Sequence, residues 1–480
     1  MNENQMTEIA EALDPRRWMV LGIVLLAAIM DLMDSSILTL AIPSIRTEMG
    51  ASNAAIQWII AGYTLTFAVL LITGGRLGDI FGRKRMFLAG VAGFTVASAL
   101  SGMTISTEML IASRILQGLM AALMVPQVLS TLQVTFPPEE RIAAFGMYGA
   151  MGGMANVIAP LLAGVILSVN LLGLSWRPLF LINVPIGIFI FVAAHYLVRE
   201  SKAPETLRLD IVGVGIITVS LLLLMYPLVQ GNDLGWPLWT YALMAISVPG
   251  FIAFALYEKR KDRIDRSPLV VPALFRIPSF IAGLFICMVM LLALVAFFFT
   301  ISFYMQVGLG YSALNTGFTM LPWPVAMVIA SVISMKIVSR YGRKLLSAGT
   351  LLMASGLTGL YLAVAHFGTS VTSWDFLPGV AIGGFGMGMI MPFLFDYILA
   401  RVPARHAGSA SGITSTAMQL GSALGIAIIG TIFFNALGNS YAEAIKQALA
   451  VEIGIYLIAF LLVFFLPGNV HKEENSLSGQ

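Results

Sequence analysis

From Trp18 to Leu466 the chain is a succession of long apolar runs separated by short polar connections. A bilayer core takes roughly 20 residues of α-helix to cross. Backbone polar groups cannot go unpaired in hydrocarbon, so runs of this length fold as transmembrane helices. Fourteen such runs are counted, the first over 18–45 and the last over 449–467. The expected fold class is an all-α membrane protein with 14 transmembrane helices. Composition points the same way, because only 11% of the 480 residues are charged, against about 25% in soluble proteins.

The same composition excludes several function classes. The net charge is only +3, and no Lys/Arg tract interleaves with aromatics, so no nucleic-acid partner is expected. The single cysteine, Cys287, lies in an apolar run and has no partner for an intrachain disulfide. His195, His366, His406 and His471 are scattered, leaving no metal or nucleophile cluster. The glycines of 379–388 lie within an apolar run, and pairs such as Gly384–Gly388 and Gly421–Gly425 read as tight helix packing. No G-x-x-x-x-G-K-[ST] loop occurs. Neither an enzyme nor a metal, cofactor or directly ATP-driven pump is expected.

Basic residues set the expected orientation. With the N-terminus inside, the cytoplasmic connections hold Arg76, Arg83, Lys84 and Arg85, then Arg141, then Arg199, Lys202 and Arg208. Later ones hold Lys259 to Arg276, Lys336 to Lys344, and Arg401 with Arg405, whereas the other side has Arg46, Arg177 and Lys446. Fourteen crossings and cytoplasmic termini therefore agree, and the localisation expected is the cytoplasmic membrane. Ile80-Phe81-Gly82-Arg83-Lys84 and Arg340-Tyr341-Gly342-Arg343-Lys344 fall at nearly equal distances from Trp18 and Phe280. Two halves of one plan follow, as in many secondary transporters. The expected division is a cytoplasmic segment 1–17, a six-helix bundle 18–200, two inserted helices 201–257, a linker 258–279, a second six-helix bundle 280–467 and a tail 468–480.

Within the first run, Asp31 and Asp34 sit three residues apart and so share one helix face. An ionised aspartate at bilayer depth costs ~2.5–3.5 kcal/mol on insertion scales. A helix that only anchors has no use for two, and both are assigned to proton coupling. Arg114 is read as the one basic residue deep in a span and as the switchable partner of Asp34. Burial and a second carboxylate favour the neutral acid, while the guanidinium favours the carboxylate, and alternation between the two would carry a proton.

The stretch Gly75-x-Leu77-x-Asp79-x-x-Gly82-Arg83-Lys84-Arg85 is assigned to gating. Gly75 allows a neighbouring helix close, and Asp79 could cap the N-terminus of a helix from the other half. The stretch resembles the signature loop of the major facilitator superfamily, G-x-L-x-D-R-x-G-R-[RK]-[RK], with Ile80 in place of the usual Arg. Asp34-Ser35-Ser36-Ile37-Leu38-Thr39-Leu40-Ala41-Ile42-Pro43 resembles the first-helix motif of one branch, the fourteen-spanner drug:proton antiporters. Arg114-Ile115-Leu116-Gln117-Gly118 resembles the R-x-x-Q-G of its fourth helix. Gly149, Gly153, Ala159-Pro160 and Ala163-Gly164 resemble its antiporter motif with two Gly-to-Ala departures, and Pro160 and Gly164 join the gating set. Trp176-Arg177 with Leu181-Ile182-Asn183-Val184-Pro185-Ile186-Gly187 resembles the start of its sixth helix.

The resemblance implies a major facilitator fold of two six-helix bundles plus two inserted helices. It implies proton-driven export of small lipophilic, often cationic, compounds by a chain expected to act as a monomer in the lipid bilayer. The second run has Ala61 where some drug exporters of this branch carry an acid, and Met320 to Met335 has none. That favours monovalent or neutral cargo over divalent cations. Gln57, Trp58, Tyr63, Gln127, Tyr304, Gln306 and Trp323 are the expected substrate-cavity residues. Asp396, within two turns of Arg401, reads as an interfacial acid that snorkels to the surface. The alternatives are a dedicated exporter of one metabolite or antibiotic, and a membrane binding protein or sensor that does not transport.

Overall fold

The computed structural model describes residues 15–169, 173–203, 209–231, 234–264, 267–438 and 440–464, and they are helical almost throughout. In chain order the helices are α1 (Arg17–Met49), α2 (Asn53–Phe81), α3 (Arg83–Gly102), α4 (Thr107–Thr135), α5 (Pro138–Val169) and α6 (Pro178–Leu197). Then come α7 (Ile211–Gln230), α8 (Leu238–Ile264), α9 (Pro278–Gly308) and α10, made of Ala313–Met320 and Pro322–Tyr341. The last four are α11 (Arg343–Phe367), α12 (Ser373–Leu399), α13 (Ala407–Ala436) and α14 (Tyr441–Val463). Twelve helices among the described residues are long and apolar enough to cross a membrane. α1 and α5, with 33 and 32 residues, are long enough to cross as well.

Local signals fix many helix ends. Ser52, Ser106, Asp210, Ser312 and Ser440 each accept a backbone N–H from the first turn that follows. Gly82 separates α2 from α3 with φ +108°, a conformation that side chains rarely adopt. A Cβ there would also strike the Glu200 carboxylate.

The repeat seen in the sequence is a repeat of packing. In the first six helices the pairs α2/α4, α3/α4, α3/α6, α1/α5 and α1/α6 are in contact. In the last six, α10/α12, α11/α12, α11/α14, α9/α13 and α9/α14 repeat them with the numbering advanced by eight. The two bundles meet through α2 with α13 and α5 with α10 and α12, and the α7–α8 pair rests against α2 and α13. Small residues allow these approaches: Gly421 and Gly425 lie against the α9 backbone at Met288 and Leu292, and Gly384 against α10 at Trp323.

Two expectations need correction. Arg76 belongs to no connection, since α2 continues to Phe81 and buries it. In the stretch that follows Glu258, α8 runs on to Ile264 and Ser267 to Val271 are buried. Asp396 is buried near the end of α12 rather than snorkelling, because the last turn of α12 packs inside the second bundle, with Tyr397 to Leu399 buried beside it.

Candidate functional site: a buried polar cluster and a latch

Two buried Asp–Arg pairs organise the polar interior. The first lies inside the α1–α6 bundle. Asp31 and Asp34 project from one face of α1, and Arg114 and Gln117, also three apart, project from α4 to meet them. Arg114 Nη1 donates to Asp34 Oδ2 at 2.5 Å and to Gln117 Oε1 at 2.7 Å, and its Nε donates to the Ile59 carbonyl. Gln117 Nε2 donates to Asp34 Oδ1 at 2.8 Å, and Asn183 Nδ2, from α6, donates to the same oxygen at 2.9 Å. Ser98 on α3 accepts from Asn183 and donates to the Phe180 carbonyl.

Asp34 thus has both oxygens occupied by donors from two other helices. Asp31 is bound differently, by the Tyr63 hydroxyl. The ring of Tyr63 also lies under the Arg114 guanidinium at 4.3 Å, a cation–π contact that links the two aspartates through one side chain. Asp31, Asp34 and Arg114 are all buried. Removing one partner of such a pair costs about 3–5 kcal/mol, because the other charge is left uncompensated.

The second pair lies at the end of the molecule where Arg83, Lys84, Arg343, Arg401 and Arg405 gather, called here the basic end. Asp79 accepts from Gly408 N through Oδ1 and from Ser409 N through Oδ2, both at 2.9 Å. Those are first-turn amides of α13, where the helix dipole favours an anion. Arg83 Nη2 donates to Asp79 Oδ1 at 2.8 Å and to the Ala404 carbonyl at 2.7 Å. Gln133 Nε2 donates to the Leu399 carbonyl at 2.7 Å and Ser130 Oγ to Ala407 O at 3.2 Å. These hydrogen bonds join the two bundles at this end. Gly75 makes the approach possible, since a Cβ there would lie 2.2 Å from the Gly408 carbonyl oxygen. Lys84 binds the His195 carbonyl with its ammonium and Glu200 with its backbone N–H, which ties the loop to α6.

The other expected site residues scatter. Tyr63 joins the cluster, but Gln127, Tyr304 and Trp323 are seated in helix packing rather than on an open surface. Gln127 donates to the Gly74 carbonyl, Tyr304 to the Gly368 carbonyl, and Trp323 packs on Phe297 and on Gly383 and Gly384. Polar or aromatic character alone does not separate a cavity wall from a helix contact. Trp58 lies on the flank, stacked on Tyr226 of α7 beside an apolar groove of about 620 Å³ that Leu65, Ile115 and Leu222 help to line. Gln57 and Gln306 are half-buried near the end opposite the basic one. Pro160 and Gly164 lie on α5, with surroundings outside the described residues.

Glu452 escapes a sequence reading. It stands midway along α14, fully buried in the second bundle, with Oε1 3.5 Å from the Thr300 hydroxyl and Oε2 unpartnered. A single Glu inside Val451 to Val463 is the one signal that could have found it.

The sequence profile of the Major Facilitator Superfamily matches residues 24–426, and the chain belongs to that family. It is similar to the probable actinorhodin transporter of Streptomyces coelicolor, with 41% identity over 90% of this chain and 75% of that one. It is 33% identical to the tetracenomycin C resistance and export protein of Streptomyces glaucescens, over 93% of this chain and 81% of that one. The multidrug efflux pump LfrA of Mycolicibacterium smegmatis is 29% identical over 87% of this chain and 81% of its own. In fold, the human organic anion transporter MFSD10 superposes with a TM-score of 0.65 at 14% identity, over 94% of this chain and all of that one. The protein is therefore a multi-pass membrane transporter of small molecules, and not an enzyme.

Proposed function

We propose that this transporter is a proton-coupled antiporter of the fourteen-spanner branch. It would export small hydrophobic, cationic compounds from the cytoplasm as a monomer in the cytoplasmic membrane. On this reading α1 and α5 cross with the twelve other spans, the basic end is cytoplasmic, and both termini are inside. Residues 18–200 and 280–467 are the moving bundles, 201–257 the inserted helices and 258–279 their connection to the second bundle.

The observation that carries the proposal is the Asp34–Arg114 pair, with Gln117, Asn183 and Ser98 around it. A proton arriving at Asp34 cancels the charge that Arg114 faces. Arg114 keeps Gln117, the Ile59 carbonyl and the Tyr63 ring, so it can shift without leaving a bare cation. Asp31, bound through Tyr63, senses that shift and is the second proton carrier. The Asp79–Arg83 latch, with Gly75, Gly82, Lys84, Pro160 and Gly164, holds the cytoplasmic side shut and parts when the bundles rock. Tyr63, Gln57, Gln306 and Trp58 are the side chains that substrate meets. The charge balance makes a monovalent cation exchangeable for one or two protons.

The test is efflux from vesicles with an imposed pH gradient, over a panel of cationic and neutral dyes. Asp34→Asn should abolish uphill efflux while leaving dye binding intact. Unchanged pumping by Asp34→Asn and Asp31→Asn would refute proton coupling through this cluster. A second reading, export of one dedicated compound, is favoured by the names of two relatives, an actinorhodin transporter and a tetracenomycin C export protein. It predicts that one dye or none is moved.

A further inference from the structure

Near the basic end one guanidinium and two carboxylates each keep buried polar atoms without a hydrogen-bond partner. Arg76 on α2 is 1% exposed, and its Nε and Nη1 have no hydrogen-bond partner. Asp210 caps α7, spending Oδ1 on Gly213 N at 3.0 Å and on the Tyr257 hydroxyl at 2.9 Å, and its Oδ2 is unpartnered. Glu258 on α8 accepts Val270 N at 3.0 Å through Oε2, and its Oε1 is unpartnered. The two unused oxygens converge over Gly213, where an added Cβ would lie 2.5 Å from Glu258 Oε1 and 2.8 Å from Asp210 Oδ2. Arg76 lies within electrostatic reach of Asp79, Glu258 and Asp210.

A buried guanidinium with Nε and Nη1 unsatisfied, in the field of two carboxylates that each leave one oxygen unpaired, is an expensive arrangement. Groups so placed call for an explanation, and a second conformation that joins them is one. The surroundings supply a route to the latch. Arg76 is three residues from Asp79 and on its face of α2. The segment that Glu258 holds at Val270 also touches the start of α13, where Ser409 Oγ donates to the Leu269 carbonyl at 3.3 Å.

We propose that Arg76 is a positioning residue for the latch and that the inserted helix pair supplies its alternative partners, Glu258 and Asp210. While the latch is closed, Arg76 is drawn toward Asp79 and bonds neither side. When Asp79 leaves the α13 amides, Arg76 turns to the hairpin carboxylates and stabilises the unlatched state. The inserted helices then set how readily the transporter opens toward the basic end. This inference rests on the latch reading given above.

The experiment is a mutant cycle read by spin-label distances across the latch. Labels sit at Arg85→Cys and Ala404→Cys, both exposed, in a Cys287→Ala background reconstituted in nanodiscs. Glu258→Gln keeps an acceptor for Val270 N and removes the charge. It should shrink the unlatched population about tenfold, the scale of one charge-assisted hydrogen bond, and lower turnover without altering half-saturation by substrate. In the Arg76→Gln background the same change should do nothing, and in Arg76→Lys its effect should return. An equal effect of Glu258→Gln with and without Arg76 would mean a merely structural role and overturn the inference. Asp79→Asn separates the two readings, because it must enlarge the unlatched population if the latch exists. If it does not, the latch reading itself fails, and this inference with it.

Discussion

The two buried Asp–Arg pairs differ in what they join. Asp34 and Arg114 belong to one bundle, and among the described residues the hydrogen-bond partners of Asp34 come from α4 and α6 of that bundle. Asp79 and Arg83 are four residues apart on consecutive helices, yet Asp79 bonds Gly408 and Ser409 and Arg83 bonds Ala404, all in the second bundle. The first pair can change protonation without parting the bundles. The second is tied to two amides and a carbonyl of the other bundle, so parting the bundles strips it of those partners. The same two residue types are thus suited to a chemical switch in one place and a mechanical one in the other, and the partners decide which.

The largest effect that would break this contrast is expected at the cluster. Arg114→Gln should abolish uphill efflux, at least about a hundredfold in rate, and destabilise the chain by about 3–5 kcal/mol because Asp34 loses its counter-charge. Combining it with Asp34→Asn should restore stability, read by thermal unfolding in detergent, without restoring uphill efflux. If the double variant pumped, the switch would lie elsewhere.

At the latch, Gly75→Ala should weaken closure and slow turnover roughly tenfold, since the added methyl meets the Gly408 carbonyl oxygen rather than a movable side chain. Labelling of Ser409→Cys by a membrane-impermeant thiol reagent would report the opening. Unaltered protection would show that the bundles close without this approach.

A smaller effect belongs to Asp31→Asn. The amide keeps an acceptor for Tyr63, so the cluster should survive while the pH profile of efflux changes shape, with maximal rate reduced several-fold. A profile identical to that of the unchanged chain would confine coupling to Asp34. The smallest effect is expected for Glu452→Gln. No cation lies beside that carboxyl among the described residues, and Thr300 can donate equally to an amide. Efflux within about twofold would sharpen the contrast, and a large loss would place a second switch in the other bundle.

What was legible beforehand has a physical pattern. Helix periodicity put Asp31 with Asp34 on one face, and membrane insertion costs marked those two and Arg114 as more than anchoring. Gly75, Asp79 and Gly82 likewise stood out as an acid and glycines in a basic stretch that positive-inside anchoring does not require. Gln127, Tyr304 and Trp323 sit in helix packing here, because a polar or aromatic side chain in a span packs against another helix as readily as it faces water.

By itself the sequence determined the helices, their caps, the repeated plan and the presence of buried acids that need partners. These follow from hydropathy, periodicity and the energy of leaving a charge or an amide bare in hydrocarbon. Only the tertiary structure decided which partners they found: Asn183 for Asp34 across 149 residues and Ser409 for Asp79 across 330. Local rules act over one or two turns, whereas contacts between distant helices are chosen by packing, where small residues let backbones approach and buried charge selects among the neighbours that result.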